Sequence, residues 1–421
     1  MRYFYALFTD KQQGMTINTM RFVDRWVGVP LCFLMSPFCW LSDLIRGARR
    51  KKPDLRRTLF IELSEMGSAI IVDPAMRKLQ QIGKGELYFA IFSKNAKSLE
   101  ILNTVPSQNI FRMKEGNIFS LVGDIFRFMV WCRRKKINTV IDLELFSRFT
   151  ALLGFFSGAR SRVGFTSLHD EGLYRGNLVN KAVGYNPHVH IAINFISLVN
   201  KALGLFDNAY STVPVYPQEL QLAKASVDEK AIANIKNKVH QLHPAWKGEP
   251  LVLLNVNASD MLPQRRWPQE NFAELGRSIL SRFNEIVLIM TGAPAEKEYV
   301  QQVTDQINSN RCINSAGFFS FDELVPLYSV SACMLTNDSG PAHFAAVTPL
   351  KVFVLFGPET PHLYLPLGNA EPFYLGLPCS PCVSAANHRK TTCLTRPCIT
   401  GIAPATVLER MNDFLKKKNI S

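Results

Sequence analysis

Residues 336–358 read TNDSGPAHFAAVTPLKVFVLFGP, and this stretch decides the fold of the second half of the chain. An apolar strand that starts at Cys333 ends in polar residues, a helix begins at Pro341, and a second apolar strand covers residues 351–356. Strands that alternate with helices in this way predict a parallel sheet with helices on both faces. In such folds, ligands bind outside the carboxyl ends of the strands.

The polar residues between these two strands predict an anion site. Gly340 lets the backbone approach a ligand, and the first amides of the following helix point outward with the positive end of its dipole. Ser339 adds a hydroxyl donor, Asp338 precedes it, and His343 lies one turn into the helix. The alternative is an ordinary helix cap at Asp338 or Ser339, with His343 as a core residue.

The same alternation extends over most of the chain and predicts two domains. In the first half it gives strands at 58–63, 87–92 and 139–143 and helices at 70–79, 118–135 and 146–156. In the second half it gives strands at 251–256 and 285–290 and helices at 268–283 and 321–330, the last capped by Ser320. The polar segment 214–250 is interpreted as a linker.

The expected fold class is therefore α/β, with two Rossmann-like, doubly wound domains that face a cleft. The boundaries that the pattern predicts are 1–56 for an N-terminal segment, 57–240 for the first domain and 241–421 for the second.

Two further strand ends of the second domain deliver residues to the edge where Gly340 lies. Arg265 and Arg266 follow the strand at 251–256, and an Arg guanidinium binds phosphate oxygens in bidentate fashion. Glu296 follows the next strand, where a carboxylate binds ribose hydroxyls. Taken singly, such residues are more often solvated charges or helix-start residues. Together they predict a nucleotide-diphosphate site.

The charge of the chain is concentrated at its N-terminus. Residues 1–57 carry eleven Lys or Arg against four Asp, which is half of the net charge of +14 of the whole chain. The cluster at 46–57, RGARRKKPDLRR, directly follows an apolar run, as in segments that face anionic headgroups. Nucleic acid is not expected as a partner, because no aromatic residues interleave with these charges.

The apolar run itself, residues 27–45, is close to the length that spans a bilayer. Pro30 and Pro37 are expected to break it, and basic residues flank both of its sides, so the charges give no direction of insertion. We therefore expect an in-plane or re-entrant anchor with an anionic membrane surface as partner. A true span and a buried helix stay open as alternatives.

Four of the nine cysteines are clustered near the C-terminus. Cys379, Cys382, Cys393 and Cys398 form the pattern C-x2-C-x10-C-x4-C, with His388 between the two pairs. Four thiols at this spacing predict a structural zinc ion or an iron–sulfur cluster. Two disulfides in an oxidising compartment, or a reduced surface patch, are the alternatives.

These segments together resemble glycosyltransferase family 9, the ADP-heptose:lipopolysaccharide heptosyltransferases of the GT-B fold. The similarity covers about residues 57–410 and leaves out the N-terminal anchor. It is carried by NDSGPAHFAAVTPLKVFVLFGPETP at 337–361, RRWPQENFAELGRSIL at 265–280, TGAPAEKE at 291–298 and FIELSEMGSAIIVDPAMRKL at 60–79.

The resemblance implies roles for the residues already singled out. It implies that Arg265 replaces the usual phosphate-binding Lys and that Glu296 binds ribose. The donor diphosphate and sugar would be held by Asp338, Ser339, Gly340 and His343.

The loop after the first strand departs from the family's pattern. The family has Arg-Leu-Ser-x-x-Gly-Asp there, and its Asp is thought to act as the general base of an inverting displacement. This chain keeps Ser64 and Gly67, but Glu62 replaces the Arg and Ser68 replaces the Asp. A Ser without an adjacent base does not take up the acceptor proton at neutral pH, so either another carboxylate serves or transfer is lost.

Glu65, on the same loop, is the first candidate for that base. Asp142 at the end of a neighbouring strand and the pair His169–Asp170 follow. The simplest alternative for Glu65 is a solvated loop charge.

The expected function is sugar transfer from a nucleotide-diphosphate sugar to a lipid-linked acceptor at the cytoplasmic face of the membrane, with no cofactor required. The replacement at Ser68 leaves a non-catalytic nucleotide-sugar-binding protein as an alternative. Another doubly wound enzyme, such as a sugar-nucleotide epimerase, is a third possibility.

Overall fold

The computed structural model of this chain describes residues 22–48, 51–114, 118–145, 147–166, 173–259, 261–384, 387 and 389–418. Its internal contacts divide the chain into two compact units, Met1–Gln221 and Leu222–Ser421. We call them the N-terminal unit and the C-terminal unit. Each is built on one six-stranded sheet, which confirms the predicted pair of α/β sheets.

Helices and strands alternate along the N-terminal unit. Its helices are α1 (Val29–Arg46), α2 (Met66–Ile71), α3 (Asp73–Gly83), α4 (Lys97–Glu100), α5 (Ile118–Arg134), α6 (Arg148–Phe156) and α7 (Ile191–Ala202). Its strands are β1 (Arg57–Ile61), β2 (Glu86–Phe92), β3 (Ile110–Met113), β4 (Thr139–Asp142), β5 (Ser161–Thr166) and β6 (Lys181–Gly184).

The sheet of the N-terminal unit has the order β3-β2-β1-β4-β5-β6, and its neighbouring strands pair in parallel. This is the Rossmann order, in which the direction of winding reverses between β1 and β4. The apolar strands lie in the core, where Phe60 of β1 stacks on Phe89 of β2 with ring centroids 6.4 Å apart. The loops after β1 and β4 therefore lie at the reversal point, where such folds bind ligands.

The C-terminal unit repeats the alternation. Its helices are α8 (Glu229–Leu242), α9 (Gln269–Arg282), α10 (Lys297–Ile307), α11 (Leu324–Val330), α12 (Gly340–Ala345), α13 (Pro361–Tyr364), α14 (Pro397–Thr400) and α15 (Pro404–Lys417). Its strands are β7 (Leu251–Asn255), β8 (Val287–Thr291), β9 (Cys312–Asn314), β10 (Cys333–Asn337), β11 (Lys351–Leu355) and β12 (Ala370–Phe373).

The sheet of the C-terminal unit has the order β12-β11-β10-β7-β8-β9, again with parallel neighbours. It is the same Rossmann order, and its reversal point lies between β7 and β10. Trp267 ties the loop after β7 to the core. Its side chain is fully buried, packs edge-on against Phe272 with centroids 4.9 Å apart, and donates from Nε1 to the carbonyl of Ile402 at 2.9 Å.

The N-terminal apolar run forms a continuous helix, so the prediction that its prolines break it is wrong. One π-type turn, Asp24–Gly28, leads into α1. Pro30 lies in the first turn of α1, where its missing N–H costs no hydrogen bond, and Pro37 lies inside the helix. The helix ends at Gly47, whose left-handed backbone (φ 59°) terminates it.

The segment interpreted as a linker contains helix α8. Asp228 caps its start by accepting from the amide of Ala231 at 2.6 Å. Lys238 of α8 then pairs with Glu323 at 2.8 Å, and Glu323 completes the predicted cap of the next helix by accepting from the amide of Ser320. The helix therefore belongs to the C-terminal unit, and the contacts place the division of the chain at Gln221.

Candidate active site

The site in the C-terminal unit is assembled from the loops after β7, β8 and β10. Arg265 follows β7, and its Nη1 lies 3.5 Å from Oδ2 of Asp338, which follows β10. A second nitrogen of the same guanidinium, Nη2, lies 3.3 Å from the hydroxyl of Ser259. The Nε of Arg265 is buried and makes no hydrogen bond to any described residue. Arg265 thus lies at the reversal point of the sheet with one donor, the buried Nε, that no described residue accepts from.

Asn337 holds two of these loops together, and the sequence-based reasoning missed it. Its Nδ2 donates to the carbonyls of Val256 and Asn257 at 3.2 and 3.4 Å, and its Oδ1 accepts from the amide of Trp267 at 2.9 Å. The side chain is fully buried, and a buried amide satisfied in this way fixes the backbone around it. An Asn at the end of an otherwise apolar strand was the available signal.

Glu296 lies on a short 3₁₀ turn after β8 and contacts the loop after β7. Its Oε1 accepts from Nδ2 of Asn257 at 2.9 Å, and its Oε2 accepts from the amide of Ala293 at 2.6 Å. Asn257 is buried, and its Oδ1 makes no hydrogen bond to a described residue. Asn257 was not predicted as a site residue, yet it presents an acceptor beside the carboxylate that is predicted to bind ribose.

Arg266 is placed differently from Arg265. Its Nε and Nη2 both donate to the carbonyl of Ala258, at 2.8 and 2.6 Å, and its guanidinium lies 5.8 Å from the centre of the Tyr299 ring. These contacts hold the loop that carries Arg265. A direct contact between Arg266 and phosphate stays a prediction.

The turn before α12 presents Ser339 and Gly340. The hydroxyl of Ser339 lies 3.2 Å from that of Thr336 and 3.1 Å from the carbonyl of Asn337. A Cβ placed on Gly340 would only touch the ring of Phe344 at 3.5 Å. Packing within the chain therefore does not require glycine here, whereas close approach of a ligand would.

Helix α12 provides a weaker anion-binding site than the sequence predicted. It contains only Gly340–Ala345, so its dipole is short. Pro341 has no N–H, and the amide of Ala342 donates to the carbonyl of Ser339 at 3.1 Å. His343 is buried on this helix. Most of the positive charge for a diphosphate would therefore come from Arg265.

The site in the N-terminal unit lies on the loop after β1. Glu65 precedes α2, and its Oε2 accepts a hydrogen bond from the hydroxyl of Ser68 at 2.9 Å. Glu65 is half-buried and Ser68 is buried, and Gly67 lies between them in the first turn of α2. The carboxylate of Glu65 thus contacts the position where the family's pattern has Asp.

Two buried carboxylates, those of Glu62 and Glu144, accept hydrogen bonds from this loop. Glu62 accepts from the amides of Ser64 and Glu65 through Oε1, at 3.4 and 3.3 Å. Glu144, which follows β4, accepts at Oε1 from the amide of Leu63 at 3.3 Å and from the hydroxyl of Ser64 at 2.8 Å. Neither was predicted from the sequence as a site residue.

Burial perturbs the pKa of two acids in this part of the unit, Glu62 and Asp142. Burial, followed by repulsion from Glu144 and Glu65, raises the pKa of Glu62 well above its usual value. Burial raises the pKa of Asp142 to about 6, although the nearby charge of Arg175 acts in the opposite direction. Strongly perturbed acids at a reversal point are typical of functional sites.

Asp142 is engaged on both oxygens. Its Oδ2 lies 3.1 Å from Nη1 of Arg175 and accepts from the hydroxyl of Thr150 at 3.0 Å, while Oδ1 accepts from the amide of Glu144 at 3.1 Å. These contacts fit a residue that positions the Glu144 loop. Asp170 and its neighbour His169, the other predicted candidates, lie outside the described residues.

The cysteine cluster does not support the predicted zinc ion or iron–sulfur cluster. Among the residues that the structure describes, no group of three or more His, Cys, Asp or Glu side chains is arranged to hold a metal ion; His388 lies outside them. All four thiols are free: Cys379 is exposed, Cys382 and Cys393 are half-buried, and Cys398 is buried.

Two of these thiols are hydrogen-bonded within the protein. The sulfur of Cys382 lies 3.5 Å from the hydroxyl of Thr391, and the sulfur of Cys393 accepts from the amide of Arg396 at 3.3 Å. The latter bond lowers the pKa of Cys393, whereas burial raises the pKa of Cys398. The four cysteines therefore sit in different environments.

The C-terminal unit also has a concavity of about 750 Å³ that contains none of the predicted site residues. It is lined by α8, by the turn Trp246–Pro250 that precedes β7, and by Ser329 and Val330 before β10. These residues lie at the amino ends of the strands. Ligands of doubly wound sheets bind at the carboxyl ends, so this concavity is not the candidate site.

The fold agrees with solved structures of heptosyltransferases. The structure of E. coli ADP-heptose lps heptosyltransferase II is similar with a TM-score of 0.67 and 20% identity, over 86% of this chain and 99% of that one. The structure of E. coli heptosyltransferase WaaC with ADP is similar with a TM-score of 0.57 and 16% identity, over 85% and 99%. These likenesses show the fold.

Sequence comparison gives the family. Lipopolysaccharide heptosyltransferase 2 of Salmonella typhimurium is 30% identical over 110 residues, which cover 25% of this chain and 31% of that protein. The matched segment thus spans about a third of this curated relative. The profile of glycosyltransferase family 9 (heptosyltransferase) matches residues 128–416, which is more than half of the chain. The chain therefore belongs to glycosyltransferase family 9.

Proposed function

We propose that this chain transfers a heptose-like sugar from an ADP-linked donor to a lipid-linked or lipopolysaccharide-type acceptor, at the cytoplasmic face of the inner membrane. The observation that carries this proposal is that two contacts, Arg265 with Asp338 and Asn257 with Glu296, join the loops after β7, β8 and β10 at the carboxyl ends of the C-terminal sheet. The similar solved structure of E. coli heptosyltransferase WaaC with ADP supports the choice of nucleotide.

In the proposed donor site, Arg265 binds the diphosphate of the nucleotide sugar. Its guanidinium lies 3.5 Å from Oδ2 of Asp338 and 3.3 Å from the hydroxyl of Ser259, and an Arg fork matches phosphate oxygens. As the bond between the anomeric carbon and the diphosphate breaks, negative charge grows on the leaving oxygen, and Arg265 stabilises it. Glu296 and Asn257 bind the ribose hydroxyls. Transfer in this proposal requires no metal ion, so activity is expected to survive chelation with EDTA.

In the proposed acceptor site, Glu65 is the general base. Its carboxylate takes the proton of the acceptor hydroxyl while the acceptor oxygen attacks the anomeric carbon. A glycosidic bond forms, the bond to the diphosphate breaks, and the nucleoside diphosphate leaves. Direct displacement from the opposite face inverts the anomeric configuration.

The buried acids would help to keep Glu65 in its basic form. A protonated Glu62 removes a negative charge that would otherwise repel Glu65. Oε1 of Glu62 accepts hydrogen bonds from the amides of Ser64 and Glu65, and Oε1 of Glu144 accepts one from the amide of Leu63. The loop that presents Glu65 is thereby held by hydrogen bonds to two acids.

One observation favours a second function. Ser68 stands where the family's pattern has its Asp, so a non-catalytic protein that binds a nucleotide sugar at the membrane is the alternative. That protein would bind the donor through Arg265 and Glu296 but would release no nucleoside diphosphate.

A two-step experiment separates the two functions. First, thermal unfolding is measured with ADP, UDP, GDP and CDP, since a ligand that binds only the folded chain raises its melting temperature. We expect the largest rise with ADP. Second, the matching nucleotide sugar and a lipid-linked acceptor are added, and nucleoside diphosphate release is followed. Stabilisation without acceptor-dependent release supports the binding protein and contradicts the transferase.

A further inference from the structure

Helix α1 has a polar, small-residue face that packs on the N-terminal unit. Gly28, Cys32, Ser36, Cys39 and Asp43 are buried and recur at spacings of three or four residues. This spacing puts them on one side of a helix. The side of α1 that touches the protein is thus the polar side, which is the reverse of an amphipathic helix on a soluble protein.

Two ion pairs fix this polar face. Asp43 pairs with Nη2 of Arg162 at 2.8 Å, and both side chains are at most 5% exposed. Asp24, in the turn before α1, pairs with Nη1 of Arg148 at 2.9 Å. A helix that crossed a bilayer away from the protein body would carry unpaired Asp43 into hydrocarbon, where a charge is costly. The ion pairs therefore favour a helix that stays docked.

The outer face of α1 and of its first turn is strongly apolar. Twenty large hydrophobic residues are exposed among those the structure describes, and ten of them lie between Trp26 and Ile45. Phe33 and Phe38 are 67% and 63% exposed. An apolar concentration of this kind marks an interaction surface. Its continuity along the whole helix indicates an extended partner.

Two further features indicate that the partner is lipid. Trp26 and Trp40 are 63% and 51% exposed on this face, and Trp is enriched at the depth of lipid headgroups. Beside the helix, a groove of about 460 Å³ is lined by Phe33, Trp40 and Tyr174 together with the polar residues Ser36 and Asn177. A groove with apolar walls that opens on this face suits an acyl chain.

Basic side chains gather at the C-terminal end of α1. Arg46 donates to the carbonyl of Gly158 at 3.2 Å, and Arg160 donates to the carbonyl of Arg46 at 2.6 Å. Lys51 lies beside Gly47, and Arg133 lies beside Gly158. A Cβ built on either glycine would be 3.7 Å from the neighbouring basic side chain. Cations at the edge of an apolar face attract anionic headgroups. We refer to Arg46, Lys51, Arg133 and Arg160 as the basic cluster.

We infer that α1 lies in the plane of a bilayer, with its outer face in a single leaflet of anionic phospholipid and its polar face docked on the N-terminal unit. The basic cluster binds headgroup phosphates at one end of the helix. This inference rests on the membrane location within the proposed function, and it specifies the geometry and the residues. It does not depend on whether sugar transfer occurs.

The inference is tested by vesicle flotation of the full chain. One set of vesicles is phosphatidylcholine alone, and the other contains phosphatidylcholine and phosphatidylglycerol in equal parts. Phe33→Glu/Phe38→Glu is compared with the control Ile82→Glu/Leu205→Glu, which adds the same charges at exposed apolar positions elsewhere. We expect the first pair to reduce the vesicle-bound fraction at least tenfold and the control to change it less than twofold. Thermal unfolding in solution verifies that both variants fold.

The basic cluster is tested separately with Lys51→Gln/Arg133→Gln. We expect this variant to lose the preference for phosphatidylglycerol while it keeps weak binding to neutral vesicles. Equal loss in the Phe variant and in its control would overturn the inference. So would a Phe variant that converts a dimer to a monomer without changing vesicle binding, since that result assigns the face to a second copy of the chain.

The in-plane geometry has its own readout. Protease is added outside sealed vesicles that carry the chain with an N-terminal tag. Complete removal of the tag is expected from a helix in one leaflet, whereas a protected tag would show a span and overturn the geometry. Transfer to a detergent-solubilised acceptor is measured in parallel. If Phe33→Glu/Phe38→Glu loses vesicle binding but retains this transfer, the variant has lost membrane binding and the proposed function is unaffected.

Discussion

The hydroxyl of Ser68 donates a hydrogen bond to Oε2 of Glu65 at 2.9 Å. The two residues lie on one turn at the start of α2, at the reversal point of the N-terminal sheet. Ser68 occupies the position of the family's Asp, and the bond brings a carboxylate to within reach of that position. This chain thus keeps a carboxylate beside the position where the family's pattern has Asp, although the residue that supplies it lies three places earlier in the sequence.

The first prediction concerns this carboxylate. Glu65→Gln keeps the shape of the side chain and removes its basicity, so we expect kcat to fall roughly 10²- to 10⁴-fold. KM for the donor is expected to change little, because the residues proposed to bind the donor lie in the C-terminal unit. The measurement is steady-state release of nucleoside diphosphate, with Glu100→Gln, a half-exposed acid paired with Arg112, as the control.

A rescue variant makes this prediction sharper. Adding Ser68→Asp to Glu65→Gln returns a carboxylate to the position that the family uses. We expect at least a tenfold recovery of kcat over Glu65→Gln alone. If neither variant changes the rate of release, another group accepts the proton and the assignment of Glu65 is wrong.

The second prediction concerns the diphosphate. Arg265→Ala removes the guanidinium that faces Asp338, and a lost charge-assisted hydrogen bond costs about 1.5–3 kcal/mol. We therefore expect the Kd for ADP to rise roughly 10- to 100-fold by calorimetry. The Kd of Arg265→Lys for ADP should lie between those of wild type and Arg265→Ala, because Lys keeps the positive charge but lacks the two-pronged guanidinium. Arg277→Ala, on the exposed side of α9, is expected to leave the Kd unchanged.

The third prediction concerns the ribose. If Glu296 and Asn257 bind its hydroxyls, wild-type protein should bind ADP more tightly than 2′,3′-dideoxy-ADP, by roughly tenfold for a pair of lost hydrogen bonds. Glu296→Gln should reduce this discrimination and leave the affinity for pyrophosphate unchanged. Equal discrimination in wild type and variant would place the ribose elsewhere.

The fourth prediction concerns the pH dependence of stability. Burial raises the pKa of Asp142 to about 6, so the folded chain holds this proton more tightly than the unfolded chain. The resulting stabilisation is complete below the ordinary pKa of about 4 and is lost as the pH rises through 6. The free energy of unfolding of wild type minus that of Asp142→Asn should therefore fall between pH 4 and 7, by an amount on the order of 2 kcal/mol.

Urea unfolding of both proteins at several pH values measures this difference. A difference that instead grows with pH would show that the ion pair with Arg175 outweighs burial. That result would assign Asp142 an ionised, purely structural role.

The sequence predicted the sheets because their strands are buried on both faces and read as apolar runs. The strand predicted at 58–63 appears as Arg57–Ile61 and that at 351–356 as Lys351–Leu355. The edge strands β3, β6, β9 and β12 were not predicted, since each has three or four residues and is only partly buried. Their identity depends on pairing with a neighbour that local sequence does not show. The inner strand β5 was also missed, although it is almost fully buried, because its sequence SRVGFT is not a continuous apolar run.

The site was predicted in part, for a related reason. Arg265, Glu296 and Asp338 were found because a charge after a strand is visible in the sequence. Asn337 and Asn257 were missed because their importance depends on contacts between distant loops. The acid cluster of Glu62 and Glu144 was missed because only the folded chain shows that both are buried.

The central claim is that this chain moves a sugar from an ADP-linked donor to a lipid-linked acceptor. The most direct test incubates the full chain with an ADP-heptose donor and a lipid-linked saccharide and determines the mass of the acceptor product. We predict that the acceptor gains one heptose unit for each ADP released, and that Glu65→Gln suppresses both together. ADP binding with no change in acceptor mass would contradict the claim.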